Sequence, residues 1–228
     1  HDGSLAVFVP GVLPEETVRI QTGPVRKGYA EGRLIEILES SPDRVPPPCP
    51  VYGTCGGCQL QHAGYQAQLS LKRDILSETL RRVGGVTDLA VPPLAPSPAP
   101  LGYRGRGRLA VLRAPNGPAR LAYFEEGSHR LVGIPHCPLL SPRLNEAVAH
   151  LNGLLATAEP RPLGIQEVRL SESSHSGDVV IQYSAEQGIR GQAERWFELV
   201  RTGAEWVKGQ VLVAGRGAKE MPEHAADQ

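Results

Sequence analysis

"CPVYGTCGGCQ" runs from Cys49 to Gln59 and places three of the chain's four cysteines within ten residues, with Pro50, Gly53, Gly56 and Gly57 among them. The fourth, Cys137, lies in "GIPHCPLL", after 78 intervening residues. The spacing is C-x5-C-x2-C plus one remote cysteine. An even count permits disulfides, but a C-x-x-C bridge is typically redox-active rather than structural, and no secretion signal accompanies it. Three thiols in a Gly/Pro-rich loop do not resemble core packing either. Metal binding fits better. Gly56 and Gly57 let the backbone turn tightly, so that neighbouring thiolates can converge, while a distant fourth ligand ties the loop to another element. Zinc and a 4Fe–4S cluster both accept four thiolates. Structural zinc sites usually present two close pairs. Three local ligands and one remote favour a cubane, with zinc as the alternative.

Composition bounds the rest. A chain of 228 residues with 40% hydrophobic content can form one domain or two small ones with a real core. Aromatics are only 5%, so that core is aliphatic. No apolar run approaches the ~18 residues of a membrane span, and "HDGSLAVFVPG" has neither the basic nor the apolar region of a secretory signal. A cytoplasmic protein without a membrane partner is expected. The chain starts close to a strand and without Met, as a fragment would. Formal net charge is zero, but of 24 basic residues 20 are Arg. Arg offers phosphates a planar fork, which Lys cannot. Leu101–Arg130 holds six Arg against two Glu, so a local basic face is compatible with a neutral protein.

Along the chain, "LAVFVPG", "ETVRIQTG" and "YAEGRLIEILES" are short apolar or alternating runs with Gly/Pro punctuation, which point to a small barrel over 1–44. "SSPDRVPPP" (Ser40–Pro48) reads as a linker. A helix is expected from Tyr65 to about Val83, with an apolar stripe of Tyr65, Leu69, Ile75/Leu76, Leu80 and Val83, stopped by Gly84-Gly85. "VPPLAPSPAP" reads as a semi-rigid connector. Strands follow in "YRGRGRLAVL", "ARLAYFEE" and "HRLVGI". Ser141-Pro142 fits an N-cap and first turn. "IQEVRLSE" and "DVVIQYSAE" pair as a hairpin, "QAERWFELVRT" is a last helix and "VKGQVLVAG" a last strand. Residues 215–228 read as a tail.

"YRGRGRL" spaces Arg104, Arg106 and Arg108 two residues apart, which on a strand puts all three on one face. Gly105 and Gly107 leave the other face bare for close backbone approach. The stripe suits phosphate tracking. Salt bridges to Glu125 and Glu126, or a solvated face, are the alternatives. No histidine or carboxylate pair shows catalytic spacing, and no catalytic residue is assigned.

"CPVYGTCGGCQLQH", then "YQAQLSLKRDILSETLRRVGG", then "PLGYRGRGRLAV" together resemble the RNA 5-methyluridine methyltransferases of the bacterial 23S rRNA (uracil-C5) type. The leading "LAVFVPGVLPEETVRI" resembles their TRAM barrel, an OB-like RNA-binding module. The resemblance implies that Cys49, Cys55, Cys58 and Cys137 are 4Fe–4S ligands. It implies S-adenosylmethionine as methyl donor, structured RNA, most simply 23S rRNA, as partner, and Arg104, Arg106 and Arg108 as RNA contacts. Chemistry in the family is covalent: a thiolate adds to C6 of uracil, C5 takes the methyl, and a base removes the C5 proton.

The family continues into a Rossmann-like domain that carries donor site, nucleophile and base. Neither a Gly-rich strand-to-helix loop nor a spare cysteine stands near the C-terminus. The expected fold class is therefore multi-domain α/β: an OB-like barrel over 1–44, a cysteine loop and helix over 45–85, and an α+β RNA-binding domain over 86–214. The Rossmann-like methyltransferase domain is expected to be absent, leaving the chain inactive alone. A non-catalytic RNA-binding module that keeps the cluster, and a zinc-stapled interaction protein, are the rival readings.

Overall fold

The alternating runs at 17–22, 165–172 and 179–185 become strands, and the apolar 3.6-residue patterns that follow Gly64 and Ser141 become helices of 18 and 16 residues. The computed structural model describes residues 5–113, 117–157, 164–185 and 190–214. They divide into two compact units: His1–Gly53 with Cys58–Pro100, and Thr54–Gly57 with Leu101–Gln228. The expected tail at 215–228 lies outside the described residues.

In the first unit, β1 (Ala6–Phe8), β2 (Thr17–Thr22) and β3 (Tyr29–Glu39) form a sheet of order β1-β3-β2. β1 runs parallel to β3, and β2 antiparallel, from Thr17 opposite Glu39 to Thr22 opposite Gly32. α1 spans Tyr65–Arg82. The small core of this unit is Leu13, Ala63 and Ala67, with Leu71 packed against it. The apolar stripe expected on α1 is uncovered over half its length: Ile75, Leu76 and Val83 are exposed, while Tyr65, Leu69 and Leu80 are half-buried. Spacing reveals which side of a helix is apolar, not that something covers it.

Ser40–Pro48, expected as a linker, is instead an anchored strap at its N-terminal half. The Arg44 guanidinium forks onto the Glu16 carboxylate, with Nη2 to Oε2 at 2.7 Å, and donates to the Gly11 carbonyl at 2.7 Å. Leu13 N–H gives Glu16 a further bond at 2.9 Å. Val45 N–H donates to the His62 carbonyl at 2.9 Å, and Gly64 N–H to the Asp43 carbonyl at 2.8 Å. The strap thus joins the β2 entry to the start of α1.

The second unit contains β4 (Arg106–Leu112), β5 (Arg120–Phe124), β6 (Leu131–Gly133), α2 (Pro142–Thr157), β7 (Ile165–Glu172), β8 (Val179–Ala185), α3 (Arg190–Arg201) and β9 (Val207–Ala214). Its six strands have the order β6-β5-β4-β7-β8-β9, antiparallel except for the parallel β8–β9 pair. One sheet face supplies Leu109, Val168, Leu170, Ile181 and Tyr183 to the core, and α2 adds Leu144, Val148, Leu151 and Leu155. Each such full burial contributes roughly 1.5–3 kcal/mol. Tyr183 is wholly buried, and that burial pushes its phenol above the ordinary range. Its hydroxyl donates to Gln210 Oε1 at 2.9 Å, and Gln210 Nε2 donates to the Phe197 carbonyl at 2.9 Å. α2 begins as expected: Ser141 Oγ accepts the Leu144 N–H at 3.0 Å, and Pro142 occupies the first helical position.

The expected fold class is corrected here. No OB-like barrel closes among the described residues: residues 5–44 give three strands with two open edges, whereas an OB-fold barrel takes five. Alternation sets which side a residue faces, not how many strands join or whether the sheet curls shut. In the second unit β8, α3 and β9 form a parallel strand–helix–strand connection, the element of which Rossmann-like domains are built.

Candidate functional site

None of the four cysteines is in a disulfide, and all are half-buried. Cys49 and Cys58 belong to the first unit, Cys55 and Cys137 to the second. Among the described residues, no three or more His, Cys, Asp and Glu side chains form a group that could hold a metal ion. What the structure does define is how the backbone around three of them, Cys49, Cys55 and Cys137, is held.

Cys49 opens a turn that Pro50 starts and the Tyr52 N–H closes on the Cys49 carbonyl at 3.1 Å. Tyr52 in turn donates its hydroxyl to the Gln59 carbonyl at 2.8 Å and meets His62 Nδ1 at 2.6 Å. Burial, with the Arg44 cation adding to it, holds the His62 imidazole below its usual range. Gln61 is buried, and neither polar atom of its carboxamide has a hydrogen-bond partner among the described residues.

Cys55 is stitched to the end of β5. It pairs with Glu125 in an antiparallel bridge, Gly56 N–H donates to the Phe124 carbonyl at 3.0 Å, and Glu126 N–H donates to the Thr54 carbonyl at 3.2 Å. A Cβ on Gly56 would stand 3.0 Å from Glu126 Cα and 3.1 Å from its amide nitrogen. Glycine is required there because backbone passes backbone.

Cys137 opens a second Cys-Pro turn, closed by the Leu140 N–H on the Cys137 carbonyl at 3.1 Å. Asn145 of α2 grips the same residue from the other side. Its Oδ1 accepts the Cys137 N–H at 2.9 Å, and its Nδ2 donates to the Cys137 and Leu140 carbonyls, each at 3.0 Å. The segment before β4 completes the frame: Gly102 N–H donates to the Pro138 carbonyl at 2.8 Å and Arg104 N–H to the Leu139 carbonyl at 2.9 Å. With both main-chain groups of Cys137 engaged, its thiol is the group left to act.

Of the three predicted arginines, only Arg106 and Arg108 are on β4. Arg104 precedes it, in a parallel bridge with Leu140, and its guanidinium lies 5.9 Å from the Tyr103 ring centroid. All three are exposed. The alternative pairing with Glu125 and Glu126 is not what forms: Glu125 takes Arg130 at 2.6 Å, while Arg108 pairs with Glu167 at 2.5 Å. Arg106 makes no ion pair among the described residues. Gly107 is bare because Leu140 fills the space: a Cβ there would stand 3.2 Å from Leu140 Cδ2.

Sequence reasoning missed Arg169. It stands directly opposite Arg108 across β4 and β7, is exposed, and shares Glu167 at 2.8 Å. Arg106, Arg108 and Arg169 against Glu167 make a basic patch on the open sheet face. The hairpin was legible; its register against β4, which brings Arg169 there, was not. Asn145 was missed as well, because an asparagine inside an apolar helix pattern carries no signal of what it holds.

No protein-family model matches the chain. By sequence it is similar to an uncharacterised RNA methyltransferase of Synechocystis, 34% identical over 84% of this chain and 44% of that protein. It is 35% identical to the 23S rRNA (uracil(1939)-C(5))-methyltransferase RlmD of Alkalilimnicola ehrlichii, over 80% of this chain and 41% of that protein. To the enzyme of the same name from Shewanella amazonensis it is 41% identical, over 68% of this chain and 35% of that protein. The chain thus spans less than half the length of these relatives. By structure it is similar to the Pyrococcus abyssi tRNA (uracil-54, C5)-methyltransferase, solved with S-adenosyl-L-homocysteine. The TM-score is 0.60 at 21% identity, over 94% of this chain and 48% of that one. Because the likeness to a methyltransferase structure extends over nearly the whole chain, the expectation that the chain has no methyltransferase domain is also corrected. Its relatives by sequence are RNA methyltransferases, 23S rRNA uracil-C5 methyltransferases among them, and its fold is similar to a stretch of a tRNA uracil-C5 methyltransferase structure.

Proposed function

We propose that the chain is part of a cytoplasmic, S-adenosylmethionine-dependent RNA methyltransferase that places a methyl group on C5 of a uridine in 23S rRNA. The observation that carries this is the sequence relation to two 23S rRNA (uracil-C5)-methyltransferases at 35% and 41% identity. Within that activity, the portion described here grips RNA and carries a 4Fe–4S cluster on Cys49, Cys55, Cys58 and Cys137. What supports that ligand set is its donor chemistry: four half-buried thiols outside any disulfide, two of them on Cys-Pro turns and one beside a glycine whose place no larger residue could take. The cluster, when bound, supplies four iron–thiolate bonds whose binding free energy becomes folding free energy.

Arg104, Arg106 and Arg108 are the proposed phosphate contacts, with Arg169 beside them. Such contacts position RNA without reading its sequence. The target uridine must leave its stack before C5 is reachable, so a rigid grip on flanking phosphates favours the extruded state.

The test is methyl transfer from labelled S-adenosylmethionine to a 23S rRNA transcript by the protein that carries this chain, with the product nucleoside identified. 5-Methyluridine is the expected product. Label on another base, or on tRNA but not on 23S rRNA, would overturn the assignment.

A further inference from the structure

We propose that Asn145 is a positioning residue for the cluster: through main-chain hydrogen bonds it fixes the turn that presents the Cys137 thiolate. This rests on the proposed reading of Cys137 as a cluster ligand and goes beyond it by naming what holds that ligand in place. An asparagine carboxamide offers one acceptor face and two donors. Here the acceptor takes the Cys137 N–H at 2.9 Å, and the donors reach the carbonyls of Cys137 and Leu140 at 3.0 Å and of Ser141 at 3.3 Å. One side chain therefore spans both ends of the Cys137–Leu140 turn. The partner groups in this turn are backbone, so they set the direction in which the Cys137 Cα–Cβ bond leaves the chain. A thiolate ligand whose Cα drifts by an ångström misses its iron.

α2 carries a built-in comparison. Asn152, seven residues on, binds backbone in the same manner: its Oδ1 accepts the Leu121 N–H at 2.7 Å and its Nδ2 donates to the Ile134 carbonyl at 3.0 Å. It staples β5 and the exit from β6 to the same helix but touches no cysteine turn. Two asparagines of one helix thus do similar structural work, and only one of them holds a proposed ligand.

The experiment compares wild type, Asn145→Ala, Asn152→Ala and Cys137→Ser, each purified anaerobically as the whole chain. Iron and acid-labile sulfide are measured, then the rate of iron loss to a chelator, and the melting temperature of the metal-free form. Outer groups that orient a ligand are typically worth 10–100-fold in metal affinity. Asn145→Ala is expected to lose iron about tenfold faster or more, while Asn152→Ala loses it at the wild-type rate although both lower the metal-free melting temperature. Equal iron loss in the two asparagine variants, or a wild-type rate in Asn145→Ala, would overturn the positioning role while leaving the cluster reading intact. A wild-type chain without iron and sulfide would overturn that reading, and the positioning role with it.

Discussion

The Glu16 side chain is fully shielded from solvent and bound by Arg44, the Leu13 amide and the Ser41 amide. The Arg44 hydrogen bonds are the main cause of a carboxyl lowered from 4.5 to about 2. A carboxylate depressed on folding stabilises the protein above its unfolded value, and that contribution is lost as pH falls. Glu16 should therefore contribute fully above about pH 4.5 and progressively less toward pH 2, and Glu16→Gln should flatten that part of a urea-midpoint profile against pH. Arg44→Met removes the charge partner but leaves Glu16 the Leu13 and Ser41 amides, and should cost about 1.5–3 kcal/mol by urea denaturation; a loss below about 0.5 kcal/mol would show the pair to be dispensable. Gly56→Ala forces a Cβ to within 3.0 Å of Glu126 Cα and should cost about 1–3 kcal/mol, through overpacking against backbone. At this scale the cysteines and the arginine run were legible, because their types and spacings are local. The Glu16–Arg44 pair was not: its members are 28 positions apart, and Arg44 sits in a Pro-rich stretch that reads as a connector.

Among the elements, β4 carries the clearest functional prediction. Arg106 makes no ion pair among the described residues, whereas Arg108 and Arg169 share Glu167. Arg106→Ala should weaken binding to structured RNA and reduce the slope of log K against log salt by about 0.7–0.9, one phosphate contact. Glu167→Gln, which frees two guanidinium groups, should tighten binding. An unchanged slope in Arg106→Ala would remove the open face of β4 from the interface. The strands and helices themselves were largely readable, since apolar period two and period 3.6 are properties of contiguous residues. The β7–β8 hairpin and the Ser141-Pro142 helix start are examples. Their assembly was less so. Nothing local to "VKGQVLVAG" says that it lies parallel to β8 rather than antiparallel, and nothing in Val18, Ile20 and Leu34 says that their sheet stops at three strands.

For the whole molecule, the sequence resemblance and the sequence comparisons converge on RNA methyltransferases, and the fold is similar to a segment of a methyltransferase structure. The division of labour proposed here gives the chain RNA grip and a cluster whose ligands come from two separate stretches, one loop and one remote turn. Such a cross-link couples metal to folding, so its removal should lower stability throughout the chain rather than in the loop alone. The most direct test of the account is metal and sulfide analysis of the anaerobically purified chain beside Cys137→Ser. The account predicts about four iron and four sulfide per wild-type chain, with broad absorbance near 400 nm, and their loss in the variant. Zinc in place of iron, or a full cluster in Cys137→Ser, would contradict it.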